Sequence, residues 1–216
     1  MRRLLITLLL GIYLFVWRPK MLRSGATQEE LNRPYEHDAL VPKPNLWATR
    51  AIDIAAPPDV VWLWLAQMGR ERTGFYGLDR FDNWNIPSAT YIRHDLPPLE
   101  VNALLDNNLK VLDFLPHQFL LFGGFAMPND WGGTTDITFL YHIASLGDGQ
   151  SRLLIRMRGY SDGWRGWLYN RMFEILDYFT TSAQLRGIKA RAEMSQYAYP
   201  SIELMGVTPI RNPHLN

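Results

Sequence analysis

Asp79 and Asp82 stand three residues apart in RTGFYGLDRFDNWNIPS (72–88), a stretch of interleaved glycines, aromatics and acids that also carries Tyr76. On one helical turn that spacing puts both carboxylates on one side. A cleft that raised one of their pKa values would turn them into a general acid/base pair. Tyr76, flanked by Gly74 and Gly77, presents a hydroxyl on an apolar ring and suits a ligand-orienting position at a cavity mouth. The plainer alternative makes the acids capping or solvated groups beside Arg80, and Tyr76 a core tyrosine with one buried hydrogen bond. Other chemistry is sparse. The five histidines (His37, His94, His117, His142 and His214) are scattered, so a metal would need ligands from distant parts of the chain, and there is no cysteine for a thiolate ligand, a nucleophile or a disulfide. Phosphate-binding glycine loops, HExxH and GxSxG are absent. No cofactor or metal is expected, and the chain reads as a binder first and an enzyme second.

The elements that must position these residues follow from composition and periodicity. A chain of 216 residues with 47% hydrophobic content can bury one ordinary core, and 22 basic against 21 acidic residues leave no field to attract nucleic acid. Eight Trp, ten Tyr and ten Phe are concentrated between residues 62 and 179. They fill a core or line a pocket.

Leu4 to Trp17 is apolar except for Thr7 and Gly11, with Arg2 and Arg3 before it and Arg18, Lys20 and Arg23 after. As a helix it spans roughly 21 Å, short of the roughly 30 Å bilayer core. The charged downstream flank favours an uncleaved anchor over a signal peptide cleaved near SGA (24–26), with arginine and lysine snorkelling to extend its reach. A membrane location through residues 4–17 is therefore expected, its side undecided because the flanking charges balance. Residues 1–23 form this segment, 24–46 a proline-bearing tether, 47–195 the domain and 196–216 a proline-bearing tail.

Within the domain, WATRAIDIAA (47–56) alternates as a strand. Pro57, Pro58 and Asp59 then open a helix through Val60 to Leu65, apolar all round and too short for a membrane, hence buried in protein; Gly69 ends it. Strand signals follow in LKVLDF, HQFLLFGGFA, TTDITFLYHIA and SRLLIRMRGY, the last two joined by the hairpin turn LGDGQS. Ile137, Phe139 and Tyr141 share one face of a strand, and Leu153, Ile155 and Met157 oppose Arg156 and Arg158, the pattern of a sheet with one wet face. FAMPNDW (125–131), bracketed by glycine pairs, could act as a lid. From Trp164 to about Met194, Leu168, Met172, Ile175, Leu176, Phe179 and Ala183 recur at helix spacing, predicting one long amphipathic helix with Gly187 as a weak point.

AIDIAAPPDVVWLWLAQMG (51–69) resembles the opening of the SRPBCC superfamily, the START and polyketide-cyclase-like proteins. Trp62, Trp64, Leu65, Gln67, Met68 and Gly69, then GFY (74–76), RFDNW (80–84) and LRGIKARAE (185–193) are similar to a bacterial membrane-associated branch of it, with Asp82 where that branch usually has glutamate. The resemblance implies an α+β helix-grip fold, a curved antiparallel sheet packed on a long C-terminal helix, here preceded by an N-terminal hydrophobic helix. It also implies a cavity between sheet and helix for a hydrophobic small molecule or lipid. Candidate ligand contacts are Tyr76, Asp79, Trp84, Trp131, Phe139, Tyr141, Met157 and Met172. The alternatives are a cyclase/aromatase-type enzyme using Asp79, Asp82 or Tyr76, and a membrane-surface interaction module whose aromatics fill the cavity. Trp62 and Trp64, two apart on a helix, cannot both face one cavity.

Overall fold

The computed structural model describes residues 5, 7, 8, 11–129 and 131–195. Six antiparallel strands form one sheet: β1 (Leu46–Ile54), β2 (Leu104–Asp106), β3 (Leu109–Leu115), β4 (Phe119–Asn129), β5 (Gly133–Gly147) and β6 (Gln150–Ser161), in the order β1-β6-β5-β4-β3-β2. Strands β2 to β6 run as successive hairpins, and β1 closes the far edge beside β6. Register breaks between Val111 and Asp113 and between Gly124 and Met127 insert bulges, which bend a strand and increase its twist. The β5–β6 turn holds Asp148 and Gly149 at φ 48° and 69°, the left-handed pair that a tight hairpin requires. FAMPNDW is thus mostly strand: β4 runs to Asn129 and β5 starts at Gly133.

The short helix after Pro57 spans Pro58–Ala66 (hereafter α3, after α1 at Arg18–Leu22 and α2 at Gln28–Asn32). Val60, Val61, Trp62, Trp64 and Leu65 are all buried. Trp62 stacks on Phe114, while the Trp64 indole sits edge-on to Tyr76 and donates to Ser195 Oγ at 3.2 Å. A short turn of helix, α4 (Asp79–Asp82), follows, and α5 (Gly163–Ser195) closes the chain's described part.

α5 is long and continuous, but its first half faces the opposite way from the expectation. Asn170, Glu174, Asp177, Thr181 and Gln184 point inward; Glu174 is fully buried, whereas Met172 is 57% and Phe179 54% exposed. The physical reason lies in partners brought from far along the chain. Arg18 grips Glu174 through Nε and Nη2 at 2.8 and 2.9 Å, Arg171 reaches the same carboxylate at 2.8 Å, and Arg50 of β1 meets Asp177 at 2.6 Å. A buried charge is tolerated only when so paired. From Leu185 onward the buried face is apolar, with Ile188 and Ala192. Gly187 is no weak point: a Cβ there would overlap the Tyr76 carbonyl oxygen, so glycine is what lets the loop close on the helix.

The sheet's outer face is not wet. Residues 24–45, which read as a tether, run across it and are fastened by the arginines of β6. Arg152 binds Glu30 at 2.5 and 2.9 Å, Arg156 binds both oxygens of Asp38 at 2.8 Å, and Arg158 donates to the Val41 carbonyl at 3.1 Å. Tyr35 lies edge-on to His142, whose pKa burial pushes down.

The expectation of a membrane location through a single N-terminal anchor is overturned. Among the described residues no helix is long and apolar enough to cross a membrane. Instead of snorkelling, Arg18 is committed to Glu174, and Met21 and Leu22 are buried in the domain. Of the hydrophobic helix that precedes the fold, the described residues 5, 7, 8, 11 and 12 are α-helical, followed by a π-helical turn, Tyr13–Trp17, and then by α1. Residues 1–4, 6, 9 and 10 of that segment, and the tail from 196 onward, lie outside the described residues.

Candidate functional site

Cross-strand register fixes which side chains enter the grip. Phe139 of β5 pairs with Met157 and Phe122, Ile137 with Gly159 and Gly124, and Tyr141 with Ile155 and Leu120, so these share the face toward α5. Towards the C-terminal half of the helix this space is filled. Tyr141 packs against Phe122 and its hydroxyl donates to Gln184 Oε1, whose amide nitrogen lies 3.4 Å from Met68 Sδ. Burial, then the Asp177 charge, pushes the Tyr141 pKa well up, so the phenol stays neutral.

Towards the N-terminal half the fill stops, leaving a cavity of about 280 Å³. Its apolar wall is Leu46 of β1, Ile137 and Phe139 of β5, Met127 of β4, Leu109 of β3 and Phe173 of α5. A polar rim is set by Arg70, Asp106, Asn107, Asn108 and Asn129. Arg70 is held in place from three sides: Nη1 donates to Asp106 Oδ1 at 2.7 Å, Nε to the Asp82 carbonyl at 2.8 Å, and its guanidinium lies 4.4 Å over the Trp84 ring. Fixed in this way, with its charge paired to Asp106 on the same rim, it can offer its remaining N–H donors at the mouth at little further cost in side-chain entropy.

Of the candidate contacts, Phe139 lies on the lining. Trp131 stands near it, edge-on to the lining residue Tyr169, and Trp84 backs Arg70 from a position at φ 51°. Met157 is buried with Leu46 and Ile137 behind the wall, and Tyr141 closes the filled end. Met172 is on the exposed side of α5. Tyr76 is in the core: its hydroxyl lies 2.6 Å from Thr73 Oγ1 and donates to the Trp64 carbonyl at 3.1 Å, and burial pushes its pKa up to about 12. Its φ of 62° is held by the Gly187 approach on one side and by Ser88 Oγ, which accepts from the Tyr76 amide at 3.1 Å, on the other.

Asp79 is fully employed, accepting from Asn83 Nδ2, Ser88 Oγ and the Ser88 amide at 2.6, 2.5 and 3.1 Å. Asp82 accepts from the Leu78 amide at 2.8 Å, and burial raises its pKa. Asp79, Asp82 and Tyr76 all lie off the cavity wall. The four tryptophans Trp62, Trp64, Trp84 and Trp131 contact Phe114, Tyr76, Arg70 and Tyr169 rather than one another. Among the described residues no cluster of three or more His, Cys, Asp or Glu could hold a metal ion. Sequence reasoning missed Leu46, Arg70, Leu109 and Phe173, because a wall assembled from five separate segments leaves no local motif.

No family model matches the chain, and no curated protein is similar to it. Among solved structures, similar chains include a hypothetical protein of Helicobacter pylori (11% identity, TM-score 0.48, covering 74% of this chain and 95% of that one). A protein of Mesorhizobium loti is similar at 11% identity and TM-score 0.44, covering 68% and 98%. An aromatase/cyclase of a Streptomyces species is similar at 11% identity and TM-score 0.38, covering 72% and 98%. Likenesses this distant assign no activity to this chain; its architecture is read from its own strand order and helix.

Proposed function

We propose that the chain binds a small, mostly apolar molecule in the cavity between the sheet and the N-terminal half of α5. The observation that carries this is the change along one interior: packed solid from Tyr141 and Gln184 onward, open over Ile137, Phe139 and Phe173. A void of about 280 Å³ is near the small end of ligand sites and roughly twice the size of a 150 Å³ apolar cavity that holds benzene. Six apolar side chains would supply affinity, and Arg70 with the rim asparagines would orient one polar end of the ligand. The scale suits a one- or two-ring molecule better than a full lipid chain.

The cyclase/aromatase alternative has little to draw on, because the acids and the tyrosine it needs are bound up in structural hydrogen bonds off the cavity wall. Native mass spectrometry of the full chain tests the binding reading. A small non-covalent adduct that disappears in Phe139→Ala combined with Phe173→Ala supports it. A chain that stays empty against a panel of one- and two-ring compounds contradicts it.

A further inference from the structure

The outer face of the sheet holds a second cavity, of about 370 Å³, between the crossing segment 24–45 and the β1/β6 edge. Trp47 and Thr49 of β1 pair directly with Arg158 and Arg156 of β6, so all four side chains emerge on that face, away from α5. Arg23, at the start of the crossing segment, completes a lining that holds three guanidinium groups and no carboxylate. Among the described side chains the acid paired with them is Asp38, which is shared: it pairs with Arg156 at 2.8 Å and with Arg158 at 3.6 Å. Among the described side chains, three cations against this one anion leave the lining positive. Burial pushes the Arg158 pKa down, while Asp38 pulls it up by more than the neighbouring Arg156 lowers it.

Donor use points the same way. Arg156 has each of its three nitrogens engaged, Nε and Nη2 by Asp38 and Nη1 by Thr49 Oγ1 at 3.2 Å. Arg158 spends Nε and Nη2 on the Val41 and Pro42 carbonyls at 3.1 and 3.3 Å. The Arg23 side chain has no hydrogen-bond partner among the described residues; its guanidinium rests over the Trp47 ring at 5.5 Å. A fork held over an aromatic ring with its donors unspent is prepared for an oxyanion. Leu31, Pro44 and Trp47 give that anion an apolar wall, and Gln28 and Asn32, bonded to each other at 3.2 Å, add amide groups.

We propose that this pocket binds a phosphoryl group, either as free phosphate or as a phosphate monoester with a small apolar body. Cations on separate elements, Arg23 on one side and Arg158 on the other, are engaged together by an oxyanion with three or more oxygens; one arginine already saturates a carboxylate. The site is distinct from the interior cavity, and either can fail without the other.

Calorimetric titration of the full chain at constant ionic strength tests it with inorganic phosphate, phenyl phosphate and benzoate. Saturable binding of phenyl phosphate is expected, at least tenfold weaker in Arg23→Ala and unchanged in Phe173→Trp, which alters only the interior cavity. Arg23 is exposed, so its replacement leaves the fold intact, as circular dichroism will verify. Inorganic phosphate binding as tightly as phenyl phosphate supports phosphoryl recognition and assigns the free anion. The proposal is overturned by the absence of saturable binding, by benzoate binding as well as phenyl phosphate, or by affinity that survives Arg23→Ala.

Discussion

The two halves of α5 solve the same problem in opposite ways. From Leu185 to Ser195 the helix buries Leu185, Ile188 and Ala192 against α3 and the sheet, as a surface helix ordinarily does. From Asn170 to Gln184 it buries a carboxamide, two carboxylates, a hydroxyl and a second carboxamide; the Thr181 hydroxyl donates to Asp177 within the helix, and the other four have partners from other elements. Close packing of apolar groups leaves no room, whereas paired polar groups hold a helix at fixed distances by their hydrogen bonds without filling the space beside them. The cavity lies under the polar half. The comparison ties the interior void to the reversed face of the helix.

The sharpest way to break the comparison is to remove one member of a buried pair. Arg50→Met leaves Asp177 uncompensated at 4% exposure and should cost about 3–5 kcal/mol in denaturant unfolding. Replacing both, Arg50→Met with Asp177→Leu, should recover much of that loss. In the apolar half, Ile188→Ala should cost about 3 kcal/mol by leaving a cavity in a packed site, and no second replacement restores it except one that refills the volume.

Next in size is Gly187→Ala, where the added Cβ meets the Tyr76 carbonyl; a loss of about 1–3 kcal/mol is expected from the backbone shift it forces. Phe173→Trp, by contrast, adds volume where there is room, and should change stability by less than about 0.5 kcal/mol while reducing binding of any interior ligand.

The smallest effect concerns the crossing segment. Arg152 holds the Glu30 carboxyl down to about 2 from its ordinary 4.5, so the contribution of this pair is fully present above about pH 4.5 and lost as pH falls towards 2. Hydrogen exchange in residues 27–32 should therefore quicken over that window, before the sheet itself opens.

Much of the frame was legible because it rests on short-range patterns. Period-two alternation marks β3 to β6, the Asp148–Gly149 turn marks the last hairpin, and Pro58 with an apolar run marks α3 as buried. The face of α5 was not legible. Its apolar and polar residues both recur at helical spacing, and the choice between them was made by Arg18 and Arg50, which stand 156 and 127 residues away from the carboxylates they bind. The same holds for the crossing segment, whose prolines and mixed charges read as a linker until Arg152, Arg156 and Arg158 are set opposite Glu30 and Asp38. Strand alternation places Phe139 on one face with Ile137 and Tyr141, and Phe139 lies on the cavity lining. Arg70 and Phe173 required the fold.

Hydrogen exchange on the full chain, with and without a naphthol probe, tests the central claim most directly. Binding under the polar half of α5 predicts added protection over residues 106–109, 127–129, 135–139 and 169–173, the segments that line the cavity, and none in 185–195. Protection confined to the packed half of the helix or to the crossing segment 24–45, or no change anywhere, would contradict it.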